Sequence, residues 1–279
     1  MRSLNFLETQ NIKQEIVNKR SGKKIMNKIK VSIINKPEIC DERLVSSLTK
    51  LTFSKKLAGM DDIREQLVDI DNTTTAIAEN TLKFNHTTIC EHLNLSFAIQ
   101  NISRACQIQW VRHRIGSSFT CSSTHYIDYS NALSNPTEYF VTPIEILNGT
   151  DEQKRLYHNS CVRSIQDYCD LIKLGQKCEV ARDVLPNSFR STMIWTTNIR
   201  ALKNFLNLRL CGVNTSEINY CAMLIYDELV KIFPTISQYL VPDCAQPACP
   251  GCKQGKRIEN CIYKKWSIEK MHEMYKSIM

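Results

Sequence analysis

The sequence predicts an α+β fold: a single, mostly helical domain with a small antiparallel or mixed sheet. Three observations carry this expectation. Helical apolar spacing recurs over residues 41–53, 62–84, 137–178, 188–211 and 215–233. Two short runs, 30–37 and 93–99, have strand character. No internal repeat and no low-complexity linker interrupts the chain before about residue 240.

In chain order, residues 30–37 read as a strand stopped by Pro37, which cannot continue a ladder. Leu44, Val45, Leu48 and Leu51 repeat at helical intervals. Residues 62–84 read as two helical pieces around the turn signal Asp71-Asn72-Thr73. A short strand follows over 93–99, then a helix over 105–112 with an arginine-rich end. Residues 137–178 carry one long helical pattern. Residues 188–211 read as a helix with apolar Ile194, Leu202, Phe205 and Leu206. Residues 215–233 read as another, ended by Pro234. The expected organisation is a basic arm over 1–28, a main domain over 29–240 and a cysteine-rich extension over 241–279.

Charge narrows the partners. The net charge is +8, from 36 basic and 28 acidic residues, which favours anionic ligands. Part of the excess sits in the arm, at Lys13, Lys19, Arg20, Lys23, Lys24 and Lys28. A solvated tail is its commonest meaning, and a nucleic-acid contact the sharper and rarer one. No stretch approaches the roughly 18 apolar residues of a membrane span, so no membrane partner is expected. The first residues lack the apolar core of a secretory signal. The 13 cysteines then read as thiols in a reducing compartment, and the expected location is cytoplasmic.

Three polar clusters carry chemistry. The first is His86 to His92, including Thr88 and Glu91. Its histidine spacing is not the helical pattern of a zinc protease. The second runs through Ser103-Arg104-Ala105 and Gln109 to Arg112-His113-Arg114, followed by a hydroxyl-rich loop, Ser118 to Tyr126. Guanidinium forks suit phosphates and carboxylates, and a hydroxyl-rich loop adds donors to anionic oxygens. The third begins at Ala181-Arg182 and continues through Asn198, Arg200, Asn204 and Arg209. Arg200 and Asn204 are four apart and share a helix face.

In this order the clusters resemble the flavin-dependent thymidylate synthases. That family's hallmark is Arg-His-Arg, then serine after seven or eight intervening residues; here Ser122 fits the shorter spacing and Ser123, the favoured one, the longer. One branch of the family matches further, at Ile115-Gly116, Ser118-Phe119, Ser123-Thr124, Tyr126 and Tyr129-Ser130. The resemblance covers about residues 30–235. It implies an α+β fold and a homotetramer with shared active sites. It implies reductive methylation of dUMP at C5 to dTMP, with FAD as cofactor, methylenetetrahydrofolate as carbon donor and NADPH as reductant. By position, His86, Thr88, Arg112, His113, Arg114, Asn198, Arg200 and Asn204 would contact FAD. Gln109, Ser122 or Ser123, His125, Arg182 and Arg209 would contact the nucleotide. Arg209 would also be catalytic, stabilising negative charge on the pyrimidine.

The loop departs from that branch. Cys121 and Ser122 stand where it has glutamine and glutamate, and His125 stands where it has arginine. Losing a bidentate guanidinium costs on the order of 2 kcal/mol. Two further readings follow: a related C5 methyltransferase acting on another pyrimidine nucleotide, and a non-catalytic nucleotide or nucleic-acid binder on the same scaffold. Finally, Cys244, Cys249, Cys252 and Cys261 include one C-x2-C knuckle, which suits a structural zinc; free thiols and a disulfide are the other readings.

Overall fold

The computed structural model describes residues 29–38, 40–53, 65, 72–247, 252, 259, 261, 263 and 266–276. The basic arm, the first helical piece of 62–84 apart from residue 65, and Cys249 lie outside them.

A four-stranded antiparallel sheet sits at the centre, in the order β1-β2-β4-β3. Its strands are β1 (Lys30–Asn35), β2 (Asn94–Ser103), β3 (Ser117–Cys121) and β4 (Arg190–Asn198). Helices α1 (Glu42–Phe53) and α2 (Asn72–Lys83) pair with each other. The remaining helices are α3 (Arg104–Trp110), α4 (Ile144–Leu147), α5 (Asp151–Lys173), α6 (Cys178–Ala181), α7 (Ile199–Arg209), α8 (Ser216–Ile232) and α9 (Ile268–Tyr275). The α+β expectation therefore holds, with the sheet antiparallel.

Three element readings are corrected. Residues 188–211 are not one helix: β4 occupies Arg190–Asn198, and α7 starts at Ile199. Burial in β4 alternates strictly, with Ser191, Met193, Trp195 and Thr197 inward. Pairing with β2 and β3 on both sides overrides the local helical spacing. The 137–178 pattern resolves into the single long helix α5, bounded by short turns. Pro136, Pro143 and Gly149 break the chain ahead of it, and Thr150 with Gln153 forms a capping box at its start. The hydroxyl-rich run read as a loop is a strand in its first half, β3.

Under the sheet, Phe97, Trp110, Trp195 and Phe205 form a fully buried aromatic cluster. Trp110 meets Trp195 edge-on at 5.4 Å and stacks on Phe205 at 4.8 Å. The cluster joins α3, β4 and α7, the elements that carry the polar clusters. Residues of the C-terminal segment, including Tyr263, Trp266, Met271 and Tyr275, belong to the same core.

Candidate active site

Each element ends where a functional side chain begins. Ser103 caps α3, its Oγ accepting from the Cys106 N–H at 3.0 Å. The buried carboxylate of Glu217 accepts from both the Ser103 N–H and its hydroxyl, at 2.6 Å each. Burial raises the Glu217 pKa, opposed by these bonds to Ser103. This anchor fixes α3, whose far end delivers Arg112-His113-Arg114.

His113 is the half-buried member of that run. Its ring stands edge-on to Phe205 at 5.0 Å, and its Nε2 accepts from Arg209 Nε at 3.0 Å. Burial first, and the Arg209 charge second, lower its pKa to about 4, so it is neutral at pH 7 and free to accept. Arg209 also donates to the Gln109 carbonyl and to Asn214 Oδ1, both at 3.2 Å. The last residue of α7 is thus held by three acceptors from two segments. Arg112 and Arg114 are exposed and have no carboxylate partner among the described residues.

Asn198 caps α7, its Oδ1 accepting from the Ala201 N–H at 2.8 Å. Its backbone N–H donates to the Gly116 carbonyl at 3.1 Å. Gly116 has φ +68°, and a Cβ there would stand 2.5 Å from Asn198 Nδ2, so only glycine fits. Arg200 pairs with Glu91, and Lys203 donates to Asn85 Oδ1 at 3.2 Å. These contacts draw the segment of His86 and Thr88 against α7. His86, Thr88, Arg200 and Asn204 are all solvent-facing.

The residues of the hydroxyl-rich loop gather at the other end of β3. Ser122 is tied twice to β4: its Oγ meets Ser191 Oγ and the Thr192 N–H, both at 3.1 Å. Ser123 Oγ accepts from the His125 N–H at 3.2 Å. His125 Nε2 lies 3.2 Å from the Glu179 carboxylate on α6. Arg182 lines a polar cavity of about 340 Å³ with Arg104, Thr124 and Asn187. A second, more apolar cavity of about 640 Å³ lies between α3, α5 and the start of α8, with Gln109 in its wall.

The structure therefore gathers the sequence-selected residues at two places. His86, Thr88, Arg112 to Arg114, Asn198, Arg200, Asn204 and Arg209 surround α7. Ser122, Ser123, His125 and Arg182 lie at the end of β3. The five residues of β3 join the two over roughly 13 Å, at about 3.3 Å per step. Sequence reasoning missed Glu179, Glu217 and Asn214; the two glutamates act across tens of residues, where no local pattern marks them, and Asn214 reaches back to Arg209 from the turn that follows α7.

The family model described as "Thymidylate synthase complementing protein" matches residues 38–235. The chain belongs to this family. Among curated relatives, the flavin-dependent thymidylate synthase of Geobacter sulfurreducens is 30% identical over 230 residues, 81% of this chain and 95% of that protein. The enzyme of the same name from Saccharolobus solfataricus is 30% identical over 203 residues, 73% of this chain and 74% of that one. Among solved structures, a UMP/dUMP methylase, PolB, from Streptomyces cacaoi, bound with 5-Br dUMP, aligns with a TM-score of 0.56. It is 21% identical and covers 76% of this chain and 93% of its own, so it supports the fold.

Cys244, Cys252 and Cys261 are half-buried thiols, and no preformed group of three metal-ligating side chains exists among the described residues. None of the described helices is long and apolar enough to cross a membrane.

Proposed function

We propose that this protein is a flavin-dependent thymidylate synthase: it methylates dUMP at C5 to dTMP, with FAD, methylenetetrahydrofolate and NADPH, as a homotetramer. Family membership supports the class. The observation that carries the reading is the Arg209–His113 pair at the end of α7, beside the exposed Arg112 and Arg114. Arg112 and Arg114 present exposed guanidiniums of the kind a dinucleotide diphosphate requires, so the site fits FAD. FAD, when bound, supplies the redox chemistry, and the protein supplies position and charge.

Around it, Arg112, His113, Arg114, Asn198, Arg200 and Asn204, with His86 and Thr88, form the flavin edge. Arg182 and Arg104 hold the nucleotide phosphate in the polar cavity. Ser123 and Gln109 orient the nucleotide. Arg209, aimed by His113, Asn214 and the Gln109 carbonyl, bonds the pyrimidine carbonyl and stabilises the charge that develops as the ring is reduced. Its fixed geometry avoids reorganisation during the reaction. Methyl transfer in this reading uses no cysteine nucleophile, consistent with the raised pKa that burial gives Cys121.

A second reading concerns substrate choice. His125 faces Glu179 where the resembled branch has a phosphate-gripping guanidinium, so the grip on dUMP is weaker and another pyrimidine nucleotide is the alternative substrate. The deciding experiment is the flavin spectrum: reduction by NADPH, then reoxidation with methylenetetrahydrofolate and dUMP, with dTMP measured. Reoxidation and dTMP at full turnover establish the first reading. Reoxidation only with a different pyrimidine nucleotide establishes the second. A protein that binds no flavin overturns both.

A further inference from the structure

The end of α7, where Arg209 stands, is tied to the C-terminal segment through one buried amide. The last carbonyls of a helix have no partner inside it. Here two asparagine side chains supply the donors. Asn214 Nδ2 donates to the Leu208 carbonyl at 2.6 Å and to the Cys211 carbonyl at 2.9 Å. Asn219, near the start of α8, donates from Nδ2 to the Arg209 carbonyl at 2.8 Å and to the Cys211 carbonyl at 3.3 Å. Two carbonyls on one side require Nδ2 there, so Asn219 Oδ1 faces the other way. It accepts from the hydroxyls of Tyr263, at 2.5 Å, and Tyr275, at 2.9 Å. A side chain only 1% exposed thus has both of its polar atoms doubly engaged.

Both tyrosines lie outside residues 38–235, the stretch that matches the family model. Both are buried, and burial raises their pKa values, so each stays a proton donor at neutral pH. Tyr275 shares its proton with the Ser216 carbonyl at 3.0 Å. The start of α8 is anchored separately, by Glu145 on the Ser216 hydroxyl at 2.8 Å and by Glu217 on Ser103. A line of hydrogen bonds therefore runs from two C-terminal hydroxyls, through one carboxamide, to the backbone of Arg209. The same turn carries Asn214, whose Oδ1 accepts from the Arg209 guanidinium at 3.2 Å. A shift of this turn displaces both the root of the Arg209 side chain and one of the acceptors that aim it.

We propose, on the reading of Arg209 as the charge stabiliser, that Tyr263 and Tyr275 are positioning residues for it, acting through Asn219. The C-terminal segment then serves the chemistry as well as the core. Being buried, the tyrosines act only on where the guanidinium stands. A charge stabiliser is effective in proportion to how well its geometry is set before the reaction begins.

The test uses the full chain with flavin bound. Tyr263→Phe and Tyr275→Phe keep the rings and remove only the hydroxyls. Each is expected to lower kcat per bound flavin, and the double variant by about 10-fold, a fraction of the effect of a misplacement of about 1 Å. KM for dUMP and flavin content are expected to change little. In an Asn219→Ala background, removing the hydroxyls is expected to lower kcat no further. Hydrogen exchange read by mass spectrometry is expected to quicken over residues 206–211 in the double variant. A lower melting temperature with unchanged kcat per bound flavin, or a change in KM alone, overturns the proposal. An undiminished loss in the Asn219→Ala background overturns the route through Asn219. Where Asn219→Ala fails to fold, the two phenylalanine variants decide. No dTMP from the unsubstituted protein overturns the proposed function, and the role of Arg209 with it. Exchange needs no turnover, so unchanged exchange separately overturns the hold of the hydroxyls on the end of α7.

Discussion

The two ends of β3 are built from similar residue types but spend them differently. At the α7 end, Arg112 and Arg114 are left exposed without carboxylate partners among the described residues, while Arg209 is locked by three acceptors. At the other end, the hydroxyls and the histidine are turned inward: Ser122 onto β4, Ser123 onto the His125 N–H, and His125 onto Glu179. The first end presents charge to a ligand and keeps the family's pattern. The second binds itself and has departed from it. Under the proposed function, the site keeps its cofactor edge while its substrate edge is rewritten, because the strand between them fixes their spacing.

The largest effect is expected from Arg209→Ala. Loss of a positioned charge stabiliser lowers turnover by about 10²–10³-fold, and steady-state kinetics with flavin content measured in parallel would check it. Normal turnover in a fully flavinylated variant would remove Arg209 from the chemistry. Gly116→Ala comes next: the positive φ and the clash with Asn198 cost about 1–3 kcal/mol. Because Gly116 sits at the α7 end, FAD affinity should fall more than nucleotide affinity; equal losses would break the distinction between the two ends.

A pH effect of about 2 kcal/mol follows from His113, reduced from the full shift by its partial exposure. Its folded pKa, about 4, lies below the unfolded value near 6.5, so the unfolded state binds more protons in between. The contribution is intact above pH 6.5 and is lost as pH falls towards 4. Denaturant titrations of the protein and of His113→Asn at pH 7 and pH 4.5 would reveal it: the variant should show the smaller drop. The smallest effect is expected at the substrate end. His125→Arg should tighten dUMP binding about 10-fold, since a guanidinium bonds phosphate more strongly than an imidazole. Calorimetric titration would measure it, and unchanged affinity would show that Glu179 captures the new charge.

Most of the candidate site was legible in the sequence because its members fall in short, ordered motifs. The Arg112 to Arg114 run, Asn198, Arg200 and Arg209 all come from contiguous segments that α3 and α7 bring together. The strand β4 was not legible. Two of its buried positions, Ser191 and Thr197, are polar, while Ile194 is less buried than its inward neighbours, so the alternation of burial leaves no matching alternation of hydropathy. Glu217 and Glu179 were invisible for another reason: their partners, Ser103 and His125, lie far away in the chain.

The double attachment of Ser122 has a consequence for how this site can change. It clamps the loop to the first residues of β4 at the point where β3 ends. Downstream of the clamp, insertions and substitutions in Ser123 to Tyr126 alter what the loop recognises. Upstream, the register of β3 against β4, and with it the contact between Gly116 and Asn198, stays as it was. Under the proposed function, Ser122 works as an insulator between two modules, one open to new substrates and the other held to its cofactor.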